Sequence, residues 1–458
     1  MGTTGALRRA PTTRRAPRSA TRRTTELGLL LLVALFTIGA YVLASLGRTA
    51  SIPANILPFL VCVLLLLLAA HVATRRLAPE ASPVLLPLAG FLNGLGYVFI
   101  ARLDSHLAGL QAMWTAIGVA AYILTLATVR RVQVLERYRY LVAAAGVVLL
   151  LLPLAPKVGQ NINGARLWVR LGPLTFQPVE LAKLALAIFF ASYLVEKRDL
   201  LANPTARLGN LRVPDPRPFG PLLLMWGLSM LVMTAERDVG FSLLIFVLFI
   251  SLLWVATGRA VYLAVGAVLF LLGAVLMADL FPHVHDRVTV WIDPWRYAQT
   301  IGYQSVQALY ALGSGGLAGS GLGLGRPDLI PVVASDYIFA AIGEELGLLG
   351  TTAVVFAFLV LVGTGLRTAL RSRSDFAKLL ITGLTVILGF QAFFIMAGVV
   401  RLLPVTGVTL PFVAYGGSSL IANYILLAIL ARASDEEGGV GGERGVGVRR
   451  AGRHPDLL

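Results

Sequence analysis

Of 458 residues only one, Cys62, is a cysteine, so the chain can form neither an intrachain disulfide nor a cysteine-based metal site. Charge is scarce as well. Asp, Glu, Lys and Arg make up 14% of the residues and 57% are hydrophobic, whereas soluble proteins carry about 25% charge. That balance excludes an ordinary globular enzyme. Disorder is excluded too, because Leu, Val, Ile and Ala recur in blocks of about twenty, the length of a membrane-crossing helix. Nucleotide loops are missing: neither GxxxxGK(S/T) nor GxGxxG occurs, so the glycine series Gly313 to Gly325 reads as tight turns, with anion-binding N–H nests left open. The five histidines are scattered except for His283 and His285, which read as a solvated loop start rather than a metal pair.

What is present is an all-α polytopic membrane protein. Apolar runs start near Leu27, Pro53, Pro83, Gln111, Tyr140, Pro178, Phe219, Val239, Ala260, Asp336, Phe376 and Phe412, predicting about twelve transmembrane helices. The excess of positive charge, +16, begins with an Arg-rich start that lacks aromatics. It reads as a disordered cytoplasmic tail, residues 1–26, held near anionic lipid, with no nucleic-acid partner. Basic residues recur after every second span, at Arg75 and Arg76, Arg130 and Arg131, Lys197 and Arg198, Arg259, and Arg367 and Arg371. By the positive-inside rule both termini are cytoplasmic. N-terminal helices then occupy 27–139 and a core 140–432, with a long extracytoplasmic loop at 281–335. A Gly/Arg/Glu-rich tail, 433–458, reads as disordered.

A long loop between membrane helices is usually functional. This one carries Arg287, Asp293-Pro294-Trp295-Arg296-Tyr297, Gln304 and Gln307, a set suited to a sugar- or phosphate-bearing ligand. An interfacial aromatic belt is the plainer alternative. Ionisable groups inside spans are expensive and therefore functional candidates. Glu180 and Lys183 share one helix face and can pair; Glu180 also suits a helix N-terminus. Glu236 and Asp238 interrupt another span, with Arg237 available to pair. Asp336 reads equally as a helix N-cap. Arg401, Pro404 to Gly407 and Pro411 to Ser419 form a polar re-entry, tolerated only against protein or water.

The strings Gly164-Ala165-Arg166-Leu167-Trp168, Phe176-Gln177-Pro178-Val179-Glu180-Leu181-Ala182-Lys183, Gly302-Tyr303-Gln304, Asp336-Tyr337-Ile338-Phe339-Ala340, Gly343-Glu344-Glu345-Leu346-Gly347 and Leu403-Pro404-Val405-Thr406-Gly407…Tyr415-Gly416-Gly417-Ser418-Ser419 follow one another in order. Together they resemble the shape, elongation, division and sporulation (SEDS) proteins, the bacterial family typified by FtsW, RodA and SpoVE. The resemblance runs from about Tyr140 to Arg432. It implies a ten-helix core, preceded here by about two more helices, and a peptidoglycan glycosyltransferase polymerising lipid II on the outer face of the cytoplasmic membrane. It further implies a class B penicillin-binding protein transpeptidase as partner, within the divisome or elongasome.

Such chemistry needs a base for the attacking hydroxyl, and arginines or a divalent cation (Mg or Mn) for the leaving pyrophosphate. The resemblance makes Asp293, Tyr297, Glu180 and Lys183 the catalytic candidates. Arg166, Gln304, Gln307, Asp336, Arg401 and Ser418 are the substrate-binding ones. Two positions depart from the family pattern. Tyr297 stands where members usually carry the loop aspartate, with Asp293 four residues earlier, and Leu167 stands where many have Arg, beside Arg166. A tyrosine, with an ordinary pKa of about 10, is a poor base at neutral pH. Two rival functions therefore stay open, a lipid II flippase and a catalytically inactive scaffold for a transpeptidase. A Ser314→Cys variant is expected to react with an impermeant maleimide in intact cells; labelling only after lysis would invert the assigned topology.

Overall fold

The computed structural model describes residues 18–451 apart from 53–55, 157, 163–164, 173, 203–205, 209–210, 214–216 and 237. Fifteen helices follow one another among the described residues. They are α1 Arg18–Thr49, α2 Ile56–Leu77, α3 Leu85–Leu103, α4 Ser105–Thr128, the single turn α5 Val134–Arg137, α6 Arg139–Leu151, α7 Val179–Ala202 and α8 Gly220–Glu236. Then come α9 Val239–Thr257, α10 Val261–Leu280, α11 Pro282–Ile292, α12 Tyr303–Gly315, α13 Ile338–Arg371, α14 Asp375–Val399 and α15 Gly417–Ala451. Nine of them (α1–α4, α9, α10 and α13–α15) are long and apolar enough to cross a membrane. The other three predicted segments coincide with α6 and α8, which are apolar but shorter, and with α7, which carries charge at both ends. The chain is an all-α multi-pass membrane protein.

Short strands add to this plan. β1 Gly159–Ile162, β2 Ala165–Leu171 and β3 Leu174–Phe176 form an antiparallel sheet between α6 and α7, and β4 Ala206–Leu208 pairs with β5 Leu211–Val213. Strands of three to seven residues without a long apolar run carry too little pattern to be read from sequence.

Both predicted tails are shorter than expected. α1 begins at Arg18, inside the segment 1–26 expected to be disordered, because its charges are paired: Arg23 with Glu26, and Arg22 with Glu80 at 3.3 Å. Arg8, Arg9, Arg14 and Arg15 lie outside the described residues. At the other end α15 continues through Ala433 to Ala451 instead of giving way to coil. Its residues 432–436 satisfy backbone groups that helix ends leave open. Arg432 donates to the carbonyls of Leu77 and Leu126, both at 2.6 Å, and of Val129 at 2.8 Å. The Asp435 and Glu436 carboxylates accept from the N–H groups of Glu80 and Val132, each at 2.7 Å. The start of α1 and residues 432–436 of α15 therefore meet the same 78–82 turn and share one face.

The 281–335 loop sits on the opposite face, and it is structured, containing α11, α12 and two 3₁₀ turns. An added Cβ at Gly47 of α1 would lie 2.2 Å from the Leu322 carbonyl, so the C-terminal end of α1 abuts the glycine series. Several N–H groups of that series are engaged within the protein, those of Ser320 and Gly321 by the Glu344 and Glu345 carbonyls. Those of Gly323 and Arg326 donate to the Glu345 and Glu344 carboxylates at 2.9 and 2.7 Å, and Arg102 pairs with Glu345. They serve the protein's own carboxylates. Beneath them α13 kinks at Gly347, whose φ of 65° and close approach to Gly319 N, 2.4 Å from a Cβ added there, admit only glycine.

Arg432 is 6% exposed. It also pairs with the Asp435 carboxylate at 3.1 Å, so Arg432→Gln is expected to cost about 3–5 kcal/mol, the usual penalty for stripping one partner from a buried charge pair. The measurement is the fall in melting temperature of the purified protein.

Candidate active site

Two polar assemblies lie on the loop side of the bundle, one buried and one open. The buried one starts from α7. Pro178 precedes its first turn, and Glu180 and Lys183 follow at a spacing that puts both on one face. Neither has exposed surface, and they form an ion pair, as the sequence predicts. The Lys183 ammonium also donates to Gln391 Oε1 of α14 at 2.6 Å. The Gln391 amide in turn donates to the Thr409 carbonyl at 3.0 Å. Ser418, at the start of α15, accepts from the Gln177 N–H at 2.7 Å. α7, α14 and segment 400–416 are thus pinned to one another through side chains. Ser418 is a link in this framework, buried away from the open site.

The open assembly is a cavity of about 150 Å³ on the loop face. Asp286, Arg287, Trp291, Gln304, Asp336 and Arg401 line it, so three of the predicted binding residues meet there. They come from four separate parts of the chain, with Asp286, Arg287 and Trp291 all on α11. Arg287 comes from α11 and donates to the Thr406 carbonyl at 2.8 Å. Gln304 comes from α12 and reaches the Pro331 carbonyl at 3.3 Å. Arg401 has φ +62° and ends the helical run of α14. Its guanidinium grips the last carbonyls of α11, Trp291 at 2.8 Å and Ile292 at 2.5 Å. Trp291 returns the contact through Nε1, 3.2 Å from the Arg401 carbonyl. Tyr337 adds a hydroxyl 3.0 Å from Ser305.

Asp336 does not cap α13; that position belongs to Tyr337. Its carboxyl instead joins the cavity, where burial pushes its pKa above the usual carboxylate range against the opposing pull of the Ser335 hydrogen bond and the Arg287 guanidinium. A carboxylate with its pKa raised is a stronger base than an ordinary one, and the arginines beside it can hold an anionic leaving group.

Asp293 and Tyr297 stand just outside this lining. Asp293 is exposed at the end of α11 and accepts the Arg296 N–H at 3.3 Å, the capping role its place before Pro294 suggests. Tyr297 ends the following 3₁₀ turn, with Arg296 5.9 Å from its ring centre. Gln307 is half-buried on α12, and Arg166 is exposed on β2; neither lines the cavity. Asp238 caps α9 through the Phe241 N–H at 3.0 Å, and Arg237, its expected partner, lies outside the described residues. Among the described residues no three His, Cys, Asp or Glu side chains form a metal-binding group. The positive charge at the cavity comes from Arg287 and Arg401.

Arg287 belongs to the loop set that the sequence offers for a phosphate-bearing ligand, and the structure brings it into the cavity. One contributor escapes the sequence reading. Gln391 is uncharged, so a search for ionisable groups passes over it, although a glutamine flanked by Phe390 and Phe393 is itself a polar signal within a span.

Asp336→Asn is expected to lower activity by about 10²-fold or more, the lower range for a lost general base. In the wild type the acid limb of activity should lie at higher pH than an ordinary carboxylate gives. Stability should move the other way. A carboxyl whose folded-state pKa is raised binds more protons folded than unfolded, so stability falls as pH rises through that interval. The Asn variant should therefore melt higher than wild type at neutral pH, with the difference vanishing below the unfolded-state pKa.

Comparison with known proteins identifies the family. The family described as cell cycle protein, FtsW/RodA/SpoVE, matches residues 96–438, starting within α3 and so earlier than Tyr140. The peptidoglycan glycosyltransferase RodA of Mycobacterium tuberculosis is 42% identical over 425 residues, covering 90% of this chain and 91% of that protein. A solved structure described as structural coordination of polymerization and crosslinking by a peptidoglycan synthase complex superposes with a TM-score of 0.64 at 27% identity, covering 78% of this chain and 98% of that one. The crystal structure of the rod shape determining protein RodA from Thermus thermophilus gives 0.56 at 27% identity, covering 78% and 97%. With three quarters of its length inside the family match and a relative this similar along nine tenths of it, the chain belongs to the FtsW/RodA/SpoVE family of cell cycle proteins.

Proposed function

We propose that this protein is a peptidoglycan glycosyltransferase that polymerises lipid II at the outer face of the cytoplasmic membrane. The observation that carries the reading is the cavity on the loop face, where Asp336, with its raised pKa, sits among Arg287, Arg401 and Gln304. Asp336 takes the proton of the attacking sugar hydroxyl as that oxygen bonds to the anomeric carbon of the second lipid-linked sugar. The bond from that carbon to the pyrophosphate oxygen breaks, and Arg287 and Arg401 receive the departing undecaprenyl pyrophosphate. Asp293 and Tyr297, at the rim, orient the sugars. Glu180 and Lys183 act at a distance, holding the re-entrant segment that presents Arg401 and Thr406.

Both termini are cytoplasmic in this reading. The shared face of the α1 start and of residues 432–436, opposite the 281–335 loop, supports it, together with the basic residues on that side. A class B penicillin-binding protein is the partner that crosslinks the product, and the similarity to a peptidoglycan synthase complex supports that pairing.

Purified protein, with and without a transpeptidase partner, should lengthen glycan from lipid II; a flippase would move the lipid and leave glycan length unchanged. Asp336→Asn should lower lengthening by about 10²-fold or more, while the Asp293→Ala, Tyr297→Phe double variant retains it. The reverse pattern would return the base to the rim. Glu180→Ala should insert in the membrane normally yet fail to support polymerisation. Wild-type rates in that variant would reduce the buried pair to a helix-end feature.

A further inference from the structure

The two N-terminal helices create a second cavity that polymerisation does not use. It measures about 260 Å³ and lies between α1 and α2 on one side and α3, α4 and α15 on the other. α2 packs against α1 and α4 and scarcely meets α3, which leaves the gap. Val33, Phe59, Leu66, Gly90, Tyr97 and Val119 form much of the wall, and the wall is incomplete beside exposed Pro58, where α2 faces the bilayer.

The polar atoms at the wall do not suit water. The Asn93 amide donates to the Tyr424 hydroxyl at 2.9 Å and to Thr115 at 3.3 Å, so those groups satisfy one another. The Thr37 hydroxyl, on a residue 2% exposed, is the lining group left without a partner. A buried water needs two to four polar partners, and an apolar cavity of about 150 Å³ already stays dry and accepts benzene. Left empty, a void destabilises in proportion to its volume. A dry, laterally open cavity within the hydrocarbon layer is filled by hydrocarbon.

We propose that this cavity binds one acyl chain of a phospholipid from the leaflet nearest the 281–335 loop. The lining part of α2, Pro58 to Ala70, is the half nearer that loop, and Leu322 of the loop packs on the Ala44 and Phe59 cluster above it. α1 and α2 precede residue 96, where the family match begins, so one wall of the site lies outside that match, while Tyr97, Thr115, Val119 and Tyr424 of the other wall lie within it. Acyl chains are the hydrocarbon that a bilayer supplies in greatest excess, which favours them over a scarce polyprenyl carrier by mass action.

The full-length protein in lipid nanodiscs, carrying either a diazirine-acyl phosphatidylethanolamine or a diazirine-tagged polyprenyl phosphate, tests this. Crosslinks are mapped by peptide mass spectrometry, and Cys62, the sole cysteine, lines the cavity and marks it. The acyl probe should label Cys62, Leu66 and Gly90. Gly90→Phe or Ala112→Phe should cut that labelling at least tenfold; a Cβ added at Gly90 meets Leu67 Cδ2 at 3.3 Å. Leu66→Ala, which widens the space, should raise it and serves where the filling variants do not purify. Labelling confined to the lipid-facing Leu64 and Leu68, indifferent to all three changes, overturns the proposal. Displacement of the acyl probe by equimolar polyprenyl phosphate overturns it in favour of an isoprenoid site. Loss of polymerisation without a change in labelling bears on the function above and not on this site.

Discussion

Lys183 lies with no exposed surface inside a helix bundle surrounded by hydrocarbon, and an ammonium in that position must be neutralised and fully hydrogen-bonded by the protein itself. Glu180 neutralises it, Gln391 accepts its second bond, and Gln391 then reaches the Thr409 carbonyl. This chain of obligations fixes where segment 400–416 can lie, and the cavity on the loop face inherits its geometry. With Thr409 held from below, Thr406 is presented to Arg287, and Arg401 is placed to grip the end of α11. One buried charge therefore organises residues drawn from four elements far apart in sequence.

The same rule, that backbone and charged groups in a membrane must find internal partners, explains how each end of the bundle is closed. On one face Arg432 collects the carbonyls ending α2 and α4. On the other, Glu344 and Glu345 collect the N–H groups of the glycine series, and Arg102 balances their charge. Glycine is required there because the backbone of the series touches the backbone of α1 and of α13, leaving no space for a side chain at Gly47, Gly319 or Gly347.

Much of this was legible in the residues. Twelve apolar runs fall on helices, and the pairing of Glu180 with Lys183 follows from their spacing and the cost of burying either alone. Gln304, Asp336 and Arg401, chosen from separate motifs, do line one cavity. The family resemblance held as well, though its match starts at 96 and not near 140. Less was legible where charge and composition look like a tail. Residues 18–26 and 433–438 resemble solvated coil until Arg22, Arg23, Asp435 and Glu436 are seen to have partners on the 78–82 and 129–133 turns.

The sequence by itself determined that this is a multi-pass membrane protein and which polar residues it keeps inside, because hydrophobic length and the cost of intramembrane charge are local properties of the chain. Only the tertiary structure decided what those residues do. Arg287 is one of several polar loop residues in sequence, and becomes a site residue because α11 carries it against Thr406 and toward Asp336. Asp336 reads as a helix cap and is instead a half-buried carboxyl in a cationic cavity. The cavity between α2 and α3 has no sequence signal at all. Proton affinity, cavity shape and the reach of a guanidinium depend on which elements meet, and contacts between residues a hundred positions apart are set by the packing of the whole bundle.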